Sequence, residues 1–249
     1  MLLNIFKSKP TLKELIPKGF VDIHSHVLPG IDDGARNIKE SIELILAMKE
    51  LGYSKIIATP HIYPGVYEND NFTISKSFNS VKNSIGNGLI LKYSSEYMID
   101  YNLIEKSENN KLLTIKDRYV LIELGFMNIQ HNFHEILYKI QVNKYIPVIA
   151  HPERCLYFLN DLKYLYKLKK IGCKFQINLL SIYGYYGPDV FKLCNFLIKN
   201  EMVDFIGSDF HSLKHINFLK KENGKFKSIK SKYNKQIEKI VYNTKEKFI

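Results

Sequence analysis

Short runs of β-branched and aromatic residues alternate with helix-like segments along most of the chain, and this alternation limits the possible folds more than any other feature. Strand-like runs are predicted at 20–25, 55–60, 89–96, 119–124, 146–151, 174–179 and 203–208. The helical periodicity between them indicates crossovers between parallel strands. The sequence therefore predicts an α/β fold, and 249 residues is a suitable length for one α/β barrel. Apolar residues at helical spacing near the C-terminus predict a final amphipathic helix.

The net charge of +11 is confined to the two ends of the chain. Residues 214–249 contain eleven lysines against three glutamates, and residues 1–18 contain four lysines against one glutamate, so residues 19–213 are neutral. We therefore predict a basic N-terminal extension at 1–18, a barrel at 19–213 and a lysine-rich C-terminal segment at 214–249 that packs on the barrel.

This charge distribution bears on the class of partner. A neutral body with three arginines is not typical of a protein that reads bases, so no nucleic-acid partner is expected. The basic ends are interpreted as solvated charge, and peripheral contact with an anionic membrane surface is the alternative.

The sequence also bears on the cellular compartment. Its apolar runs are far shorter than the ~20 residues that a membrane span needs. Lys7 and Lys9 interrupt the N-terminal apolar stretch before it could form the core of a signal peptide. The three cysteines are odd in number and form no C-x-x-C pair, so neither a disulfide framework nor a zinc knuckle is indicated. We expect a cytoplasmic protein.

Histidines and acidic residues collect at the carboxyl ends of the predicted strands. Asp22, His24 and His26 alternate in the first strand, so both imidazoles point to one face. Asp209 and His211 repeat this spacing after the last strand. The strands between them end at or near His61, Glu96, Glu123 and His151. Because the carboxyl ends of parallel barrel strands meet on one face, these residues are predicted to form one cluster.

Such a cluster is suited to binding metal ions. Imidazole and carboxylate groups without thiolates suit Mn, Fe or Zn, and there are too many groups for one ion. Asp33, in the turn LPGIDDG, adds another carboxylate. A multinuclear centre activates water and neutralises charge during displacement at phosphorus, which indicates a hydrolase. Taken singly, Glu96 could be a solvated strand-end charge and His61 an ordinary loop histidine.

Arg154 is the one arginine next to this cluster in sequence, three residues after His151. Its guanidinium could bind two phosphate oxygens at once, or it could form a salt bridge with a nearby acidic residue.

Four segments carry a recognisable set of motifs. They are DIHSHVLPGIDDGA at 22–35, IIATPHIYPGVYEN at 56–69, PVIAHPER at 147–154 and DFIGSDFH at 204–211. They resemble motifs of the polymerase and histidinol phosphatase (PHP) superfamily, and within it of the bacterial manganese-dependent protein tyrosine phosphatases of capsule and exopolysaccharide systems. The resemblance covers about residues 20–212, and its first motif is long and specific.

The resemblance implies a distorted seven-stranded (β/α)7 TIM-like barrel that holds three metal ions. Manganese is the expected metal, and Fe or Zn are the alternatives. The implied metal ligands are His24, His26, Asp33, His61, Glu96, Glu123, His151, Asp209 and His211. The implied catalytic residues are the phosphate-binding Arg154 together with Asp209 and His211. The implied substrate is the phosphotyrosine-rich tail of a membrane-associated tyrosine kinase that controls polysaccharide export.

The sequence departs from the family pattern after His211. Members often carry a second arginine a few residues past the SDxH motif, whereas SLKHINFLK stands here. Either Lys214 or His215 replaces that arginine or the contact is absent, and a lysine lacks the bidentate fork.

Other functions fit the residues less well. A small-molecule phosphomonoesterase such as histidinol-phosphate phosphatase shares the fold and much of the metal set, but the carboxylate of Asp33 favours the protein tyrosine phosphatase. A nucleic-acid-binding or inactive barrel is disfavoured by the neutral body and the complete ligand set. A cysteine-based phosphatase is excluded, because no arginine follows Arg154 and none of the cysteines can begin a C-x5-R loop.

Overall fold

A computed structural model describes residues 16–221 and 233–249. The strands of the described residues are β1 (Phe20–Asp22), β2 (Tyr53–Ala58), β3 (His61–Ile62), β4 (Ile90–Tyr93), β5 (Glu96–Met98), β6 (Tyr119–Glu123), β7 (Ile146–Ala150), β8 (Lys174–Asn178) and β9 (Phe205–Gly207). Residues 1–15 of the predicted N-terminal extension and residues 222–232 of the predicted lysine-rich segment lie outside the described residues.

Helices alternate with the strands. They are α1 (Ile38–Leu51), α2 (Asn71–Val81), α3 (Asn102–Glu108), α4 (Phe133–Val142), α5 (Leu162–Lys170), α6 (Leu179–Ile182), α7 (Pro188–Lys199), α8 (Leu213–Lys221) and α9 (Asn234–Phe248). Two 3-10 turns, Pro152–Arg154 and Leu156–Leu159, follow β7. Among the described helices, none combines the length and the apolar character that crossing a membrane requires.

The strands form two parallel sheets. One has the order β1-β2-β4, and the other has the order β3-β5-β6-β7-β8-β9. The predicted α/β class with parallel strands is therefore confirmed. Closure of the described strands into one barrel is not detected, so the distorted seven-stranded barrel is not confirmed and stays a prediction.

Two predicted strands differ from the structure at their carboxyl ends. The run 55–60 leaves β2 after Ala58, and β3 begins just beyond it at His61; the run 89–96 separates into β4 and the start of β5. Pro60 has no amide hydrogen to donate to a ladder, which accounts for the break before His61. Since β2 and β4 belong to one sheet and β3 and β5 to the other, the chain passes from sheet to sheet at both breaks.

Backbone hydrogen bonds run across both junctions of the two sheets. At one junction the two segments that pass from sheet to sheet stay bonded to each other, because Ser94 N donates to Ala58 O at 2.8 Å and Glu96 N donates to Pro60 O at 3.1 Å. At the other junction Asp209 N donates to His24 O at 2.8 Å. These bonds hold the carboxyl end of β1 beside the carboxyl end of β9, so side chains from the first and last strands meet.

Helix α1 fixes the loop that follows β1. The Asn37 side chain accepts a hydrogen bond from Glu40 N at 3.0 Å and so caps the helix, which is typical of asparagine at this position. The helix ends at Gly52, whose φ of 113° favours glycine. The buried Ser41 hydroxyl donates to Val27 O at 2.5 Å, which ties the helix to the loop carrying the first motif.

Helix α9 covers the amino ends of the strands, opposite the predicted site. Phe248 is fully buried and lies edge-on to Tyr119 and Phe205, with ring centroids 5.8 and 5.0 Å away. Tyr119 begins β6 and Phe205 begins β9. The Thr244 hydroxyl accepts from Ile206 N at 2.9 Å. The helix therefore contributes an aromatic anchor to the core between the strands.

Replacing this anchor tests how much α9 stabilises the fold. We expect Phe248→Ala to lower the free energy of unfolding by about 3–5 kcal/mol, because it leaves a cavity in a packed core. Tyr242→Ala on the same helix is the matched control, since Tyr242 is 63% exposed and its loss should cost within about 0.5 kcal/mol. Urea denaturation measures both, and equal midpoints for the two variants would contradict the expected role.

Candidate metal centre

The nine predicted metal ligands lie together on one side of the sheets, seven of them at or after the carboxyl ends of strands; His61 and Glu96, predicted to follow and to close a strand, are instead the first residues of β3 and β5. They are His24 and His26 after β1, Asp33 in the following loop, His61 in β3, Glu96 in β5, Glu123 at the end of β6, His151 after β7, and Asp209 and His211 after β9. All are buried except the exposed Asp33 and the half-buried His211. The structure thus places all nine in one cluster, and their role as ligands stays a prediction.

The carboxylate of Glu96 is at the middle of the cluster. Its Oε2 lies 3.1 Å from His24 Nε2 and 3.3 Å from both His26 Nε2 and His61 Nδ1. Its Oε1 lies 3.0 Å from His151 Nε2. Four imidazoles from three separate segments therefore surround one fully buried carboxylate.

Asp209 is a second carboxylate shared by several partners. Its Oδ1 lies 3.4 Å from the Nε2 atoms of His24 and His26, and its Oδ2 lies 3.1 Å from Arg154 Nη1. His211 Nδ1 donates to the Asp209 carbonyl oxygen at 3.0 Å, which leaves Nε2 facing Asp33 Oδ1 at 3.4 Å. The SDFH motif thus provides a carboxylate inside the cluster and an imidazole at its mouth.

The LPGIDDG turn provides two carboxylates with different surroundings. Asp33 reaches the mouth, whereas the buried Asp32 accepts from His26 Nδ1 at 2.8 Å and from Gly34 N at 2.9 Å. A hydrogen bond at Nδ1 fixes the ring so that Nε2 faces the cluster. Gly34 leaves no space for a side chain, because a Cβ there would lie 2.0 Å from His26 O.

Two residues of the cluster have unusual backbone conformations. His151 has φ of 29° and Asp209 has φ of 53°, in the left-handed region that residues other than glycine seldom adopt. His151 directly follows β7, and Asp209 comes two residues after the end of β9. Strain of this kind persists where surrounding contacts hold it, and it is concentrated at functional sites.

Burial and mutual charge shift the pKa values of the cluster strongly. Burial and the negative charges of Glu96 and Asp209 raise the pKa of Glu123 to about 9. Burial opposes protonation of His24, but the Glu96 and Asp209 carboxylates outweigh it and raise its pKa to about 9. Burial lowers the pKa of His151 to about 4, which leaves a neutral imidazole at pH 7. The cluster therefore retains protons that an incoming cation would displace.

The donor set fits metal ions. Glu96 Oε2 and the Nδ1 atoms of His61 and His151 are buried and form no hydrogen bond within the described residues, although Glu96 Oε2 lies close to three imidazole nitrogens. Four groups of imidazole and carboxylate atoms are each close enough to hold one ion: His26, Asp33, His61 and His211; His24, His151 and Asp209; His24, His26 and Glu96; His61, Glu96 and Glu123. Nitrogen and oxygen donors without sulfur suit Mn, Fe or Zn.

Arg154 lies beside the cluster in a cavity of about 360 Å³. Its guanidinium is 4.7 Å from the ring centre of Phe126 and 4.8 Å from that of Tyr186. These rings and the Asp209 carboxylate hold the planar group in one orientation. The salt bridge considered from the sequence is thus formed with Asp209, and the guanidinium also faces the cavity.

The structure distinguishes the two candidates for the missing second arginine. His215 lines the cavity and its Nδ1 accepts from His211 N at 3.3 Å, whereas Lys214 is exposed and lines a neighbouring cavity. Burial and the nearby His211 lower the pKa of His215 to about 4. A neutral imidazole therefore lies in the cavity, and Arg154 is the guanidinium that lines it.

Sequence reasoning missed an amide pair that connects two cluster residues. His24 Nδ1 donates to Gln176 Oε1 at 2.7 Å, Gln176 Nε2 donates to Asn178 Oδ1 at 3.0 Å, and Asn178 Nδ2 donates to Asp209 Oδ2 at 2.5 Å. We call Gln176 and Asn178 the amide bridge. Their alternation along β8, which places both on one face, was the available signal.

The three cysteines take no part in the cluster. Cys155, Cys173 and Cys194 are all buried free thiols. Burial raises the pKa of Cys155 and Cys173 to about 12 and that of Cys194 well above its ordinary value. A thiol in this state is not a nucleophile.

Comparison with known proteins agrees with the resemblance seen in the motifs. The chain is 33% identical over 229 residues to CapC of Staphylococcus aureus, with 90% of this chain and 89% of that protein covered. It is 33% identical over 206 residues to the tyrosine-protein phosphatase YwqE of Bacillus subtilis, with 81% of each chain covered.

Solved structures agree with these relatives. A chain from crystal structures of YwqE of Bacillus subtilis and CpsB of Streptococcus pneumoniae, described as metal-dependent tyrosine phosphatases, matches with a TM-score of 0.71 and 28% identity over 90% of this chain and 94% of that one. A histidinol phosphate phosphatase of Lactococcus lactis matches with a TM-score of 0.51 and 14% identity over 86% of this chain and 97% of that one, which shows likeness of fold.

The family model described as capsular polysaccharide synthesis, CpsB/CapC, matches residues 20–249. With this match and the shared identity, the membership predicted from the motifs is confirmed. The chain belongs to the CpsB/CapC family of capsular polysaccharide synthesis.

Proposed function

We propose that this protein is a metal-dependent protein tyrosine phosphatase. The observation that carries the proposal is the cluster of nine imidazole and carboxylate side chains around Glu96, with the Arg154 guanidinium next to it. The relative YwqE is named as a tyrosine-protein phosphatase, and the matched crystal structures are described as metal-dependent. Site chemistry and family thus support one activity, hydrolysis of a phosphoric monoester.

The bound metal is proposed to be manganese, with Fe or Zn as alternatives, and three ions are proposed. The nine residues listed for the metal centre would hold them. Ions of this kind, when bound, supply an activated water and neutralise negative charge at phosphorus. The overlap of the four ligand groups at His24, His26, His61 and Glu96 supports more than one ion, because neighbouring groups share their donors.

Arg154 is proposed to bind the phosphoryl group. Asp209 contacts the guanidinium at Nη1, and the Arg154 side chain lines the cavity. The Asp209 carboxylate raises the pKa of Arg154 further, so the group stays charged. Phe126 and Tyr186 restrict its motion, and Asp209 connects it to His24 and His26. Asp209 and His211 are proposed as catalytic residues because Asp209 pairs with this arginine and both line the same cavity.

The substrate is proposed to be the phosphotyrosine tail of a membrane-associated tyrosine kinase, since the family belongs to capsular polysaccharide synthesis. Activity is proposed to be cytoplasmic, with at most peripheral membrane contact. Residues 19–213 are proposed to form a distorted seven-stranded barrel with 214–249 packed on it. The bond from Asp209 N to His24 O at one junction of the two sheets, and the passage of the chain from sheet to sheet at the other, support that closure.

A histidinol-phosphate phosphatase is the alternative, and the structural match to one supports only the fold. Comparing hydrolysis of phosphotyrosine peptides with hydrolysis of histidinol phosphate, using protein of measured metal content, separates the two activities. Preference for histidinol phosphate would overturn the proposal.

We expect Glu96→Gln to remove metal and hydrolysis together. The substitution keeps the size of the side chain but removes the charge that four imidazoles share, so the loss should exceed the roughly 10- to 100-fold typical of groups behind the ligands. Metal content by mass spectrometry and turnover of p-nitrophenyl phosphate measure it. Glu105→Gln on an exposed position of α3 is the control. Full metal content with full turnover in Glu96→Gln would refute the assignment.

Arg154→Lys tests phosphate binding separately from metal binding. We expect kcat/KM to fall about 100-fold, because lysine keeps the charge but cannot form two parallel hydrogen bonds. Metal content should stay at the wild-type value. Arg118→Lys is the matched control, since Arg118 stacks on Tyr145 outside the cavity. Unchanged kinetics in Arg154→Lys would show that this guanidinium does not bind the phosphoryl group.

Gln176→Leu tests the amide bridge. We expect metal affinity to fall about 10- to 100-fold, because His24 loses the acceptor that fixes its ring. Gln141→Leu is the control, since Gln141 bonds the Ile171 carbonyl away from the cluster. Affinity is read by titrating metal into metal-free protein. If both variants bind metal as the wild type does, the bridge has no positioning role.

A further inference from the structure

An apolar groove rimmed by positive charge lies along the side of the molecule that carries the first motif. We call it the α1–α2 groove; it has a volume of about 720 Å³ and lies between the start of α1 and the start of α2. Phe72 is 72% exposed and Ile38 is 48% exposed, so two large apolar side chains face solvent within a concave surface. Apolar groups exposed in this way mark interaction sites more often than isolated surface residues do.

The rim of the α1–α2 groove is positively charged. Arg36, Lys39 and Lys76 line it, and no acidic residue does. Arg36 is paired with Glu40, whereas Lys39 and Lys76 make no ion pair with any carboxylate of the described residues. Since residues 19–213 are neutral as a whole, this excess of cations is local. The groove is therefore complementary to a segment that carries both negative charge and apolar or aromatic side chains.

The groove is continuous with the metal centre. A cavity of about 540 Å³ lies between them, and it shares Asp33 and His211 with the Arg154 cavity. The same intermediate cavity shares Arg36 with the α1–α2 groove. A polypeptide with its phosphate at Arg154 would pass this intermediate cavity, which Asp33, Glu40 and Glu43 line beside Arg36 and Lys214, before it reaches Phe72. The acidic residues of such a segment therefore belong in the α1–α2 groove and not in the intermediate cavity.

We propose that the α1–α2 groove binds the acidic segment flanking the phosphotyrosine of the polypeptide substrate, with an apolar or aromatic side chain against Phe72 and Ile38. This proposal rests on the proposed function and specifies how the substrate is chosen. A small aryl phosphate fills only the Arg154 cavity, whereas a polypeptide fills both. The groove then contributes to affinity for protein substrates and leaves the chemical step unchanged.

Kinetics on peptides of increasing length test this proposal. The peptides carry one phosphotyrosine and an acidic flank containing one aromatic residue, extended stepwise on either side. For the wild type we expect KM to fall once the flank reaches the groove. Phe72→Ala should lower kcat/KM on the extended peptide about tenfold, as expected for loss of an aromatic anchor, and leave p-nitrophenyl phosphate hydrolysis at the wild-type rate.

The lysines are tested by Lys39→Gln with Lys76→Gln. The double substitution should lower kcat/KM on the extended peptide strongly at low salt and weakly at high salt, since exposed charges are screened beyond about 8 Å at physiological ionic strength. The control is Tyr138→Ala with Lys139→Gln on α4, an exposed aromatic and lysine pair outside all three cavities. The proposal would be overturned if the groove variants lost kcat/KM equally on the peptide and the aryl phosphate, or lost none on the peptide.

A binding measurement separates this proposal from the proposed activity. Fluorescence anisotropy measures binding of the labelled flank peptide without its phosphate. This binding does not require the protein to be catalytically active. About tenfold weaker binding by Phe72→Ala supports the groove even if no phosphotyrosine is hydrolysed, whereas equal binding overturns it. If Phe72→Ala instead loses binding to phosphatidylglycerol vesicles while its peptide kinetics and peptide binding stay at the wild-type values, the groove binds a membrane surface. That result would overturn the proposal as well.

Discussion

The fully buried carboxylate of Glu96 is the interaction on which the rest of the site depends. Placing a charge where water cannot reach is costly unless partners surround it, and here four imidazoles do so. Those imidazoles require their own supports, which are Asp32 behind His26 and Gln176 behind His24. Of the two left-handed residues, His151 contacts this carboxylate directly, and Asp209 contacts His24 and His26, which surround it. Both unusual backbone conformations therefore lie within the contacts around one shared anion.

The arrangement of the strands makes that sharing possible. All ladders are parallel, so every strand presents its carboxyl end to the same side of the molecule. The hydrogen bonds between Glu96 and Pro60 and between Asp209 and His24 bring the first, middle and last segments together. On the opposite side, Phe248 fills the space between the amino ends of the strands. Packing and chemistry thus occupy opposite ends of the same strands.

The sequence predicted the parts of the molecule that depend on local pattern. Alternation of runs predicted the parallel α/β class, and the position of His and acidic residues at strand ends predicted their convergence. The break at Pro60 was missed because periodicity does not show when a run changes sheet. Asp32, Gln176 and Asn178 were missed because their roles depend on contacts between distant segments, as in the 2.7 Å bond from His24 to Gln176. That His215 lines the Arg154 cavity while Lys214 lines a neighbouring one likewise required the geometry of α8.

The burial of all three cysteines determines how this protein responds to oxidants. Peroxide inactivates thiol enzymes by converting a reactive thiolate to sulfenic acid, and susceptibility follows thiolate character and exposure. Cys155, Cys173 and Cys194 are shielded and protonated, so that route is closed. At the proposed metal centre the remaining route would depend on the ion, because bound iron would be open to redox damage whereas bound zinc would have no redox chemistry.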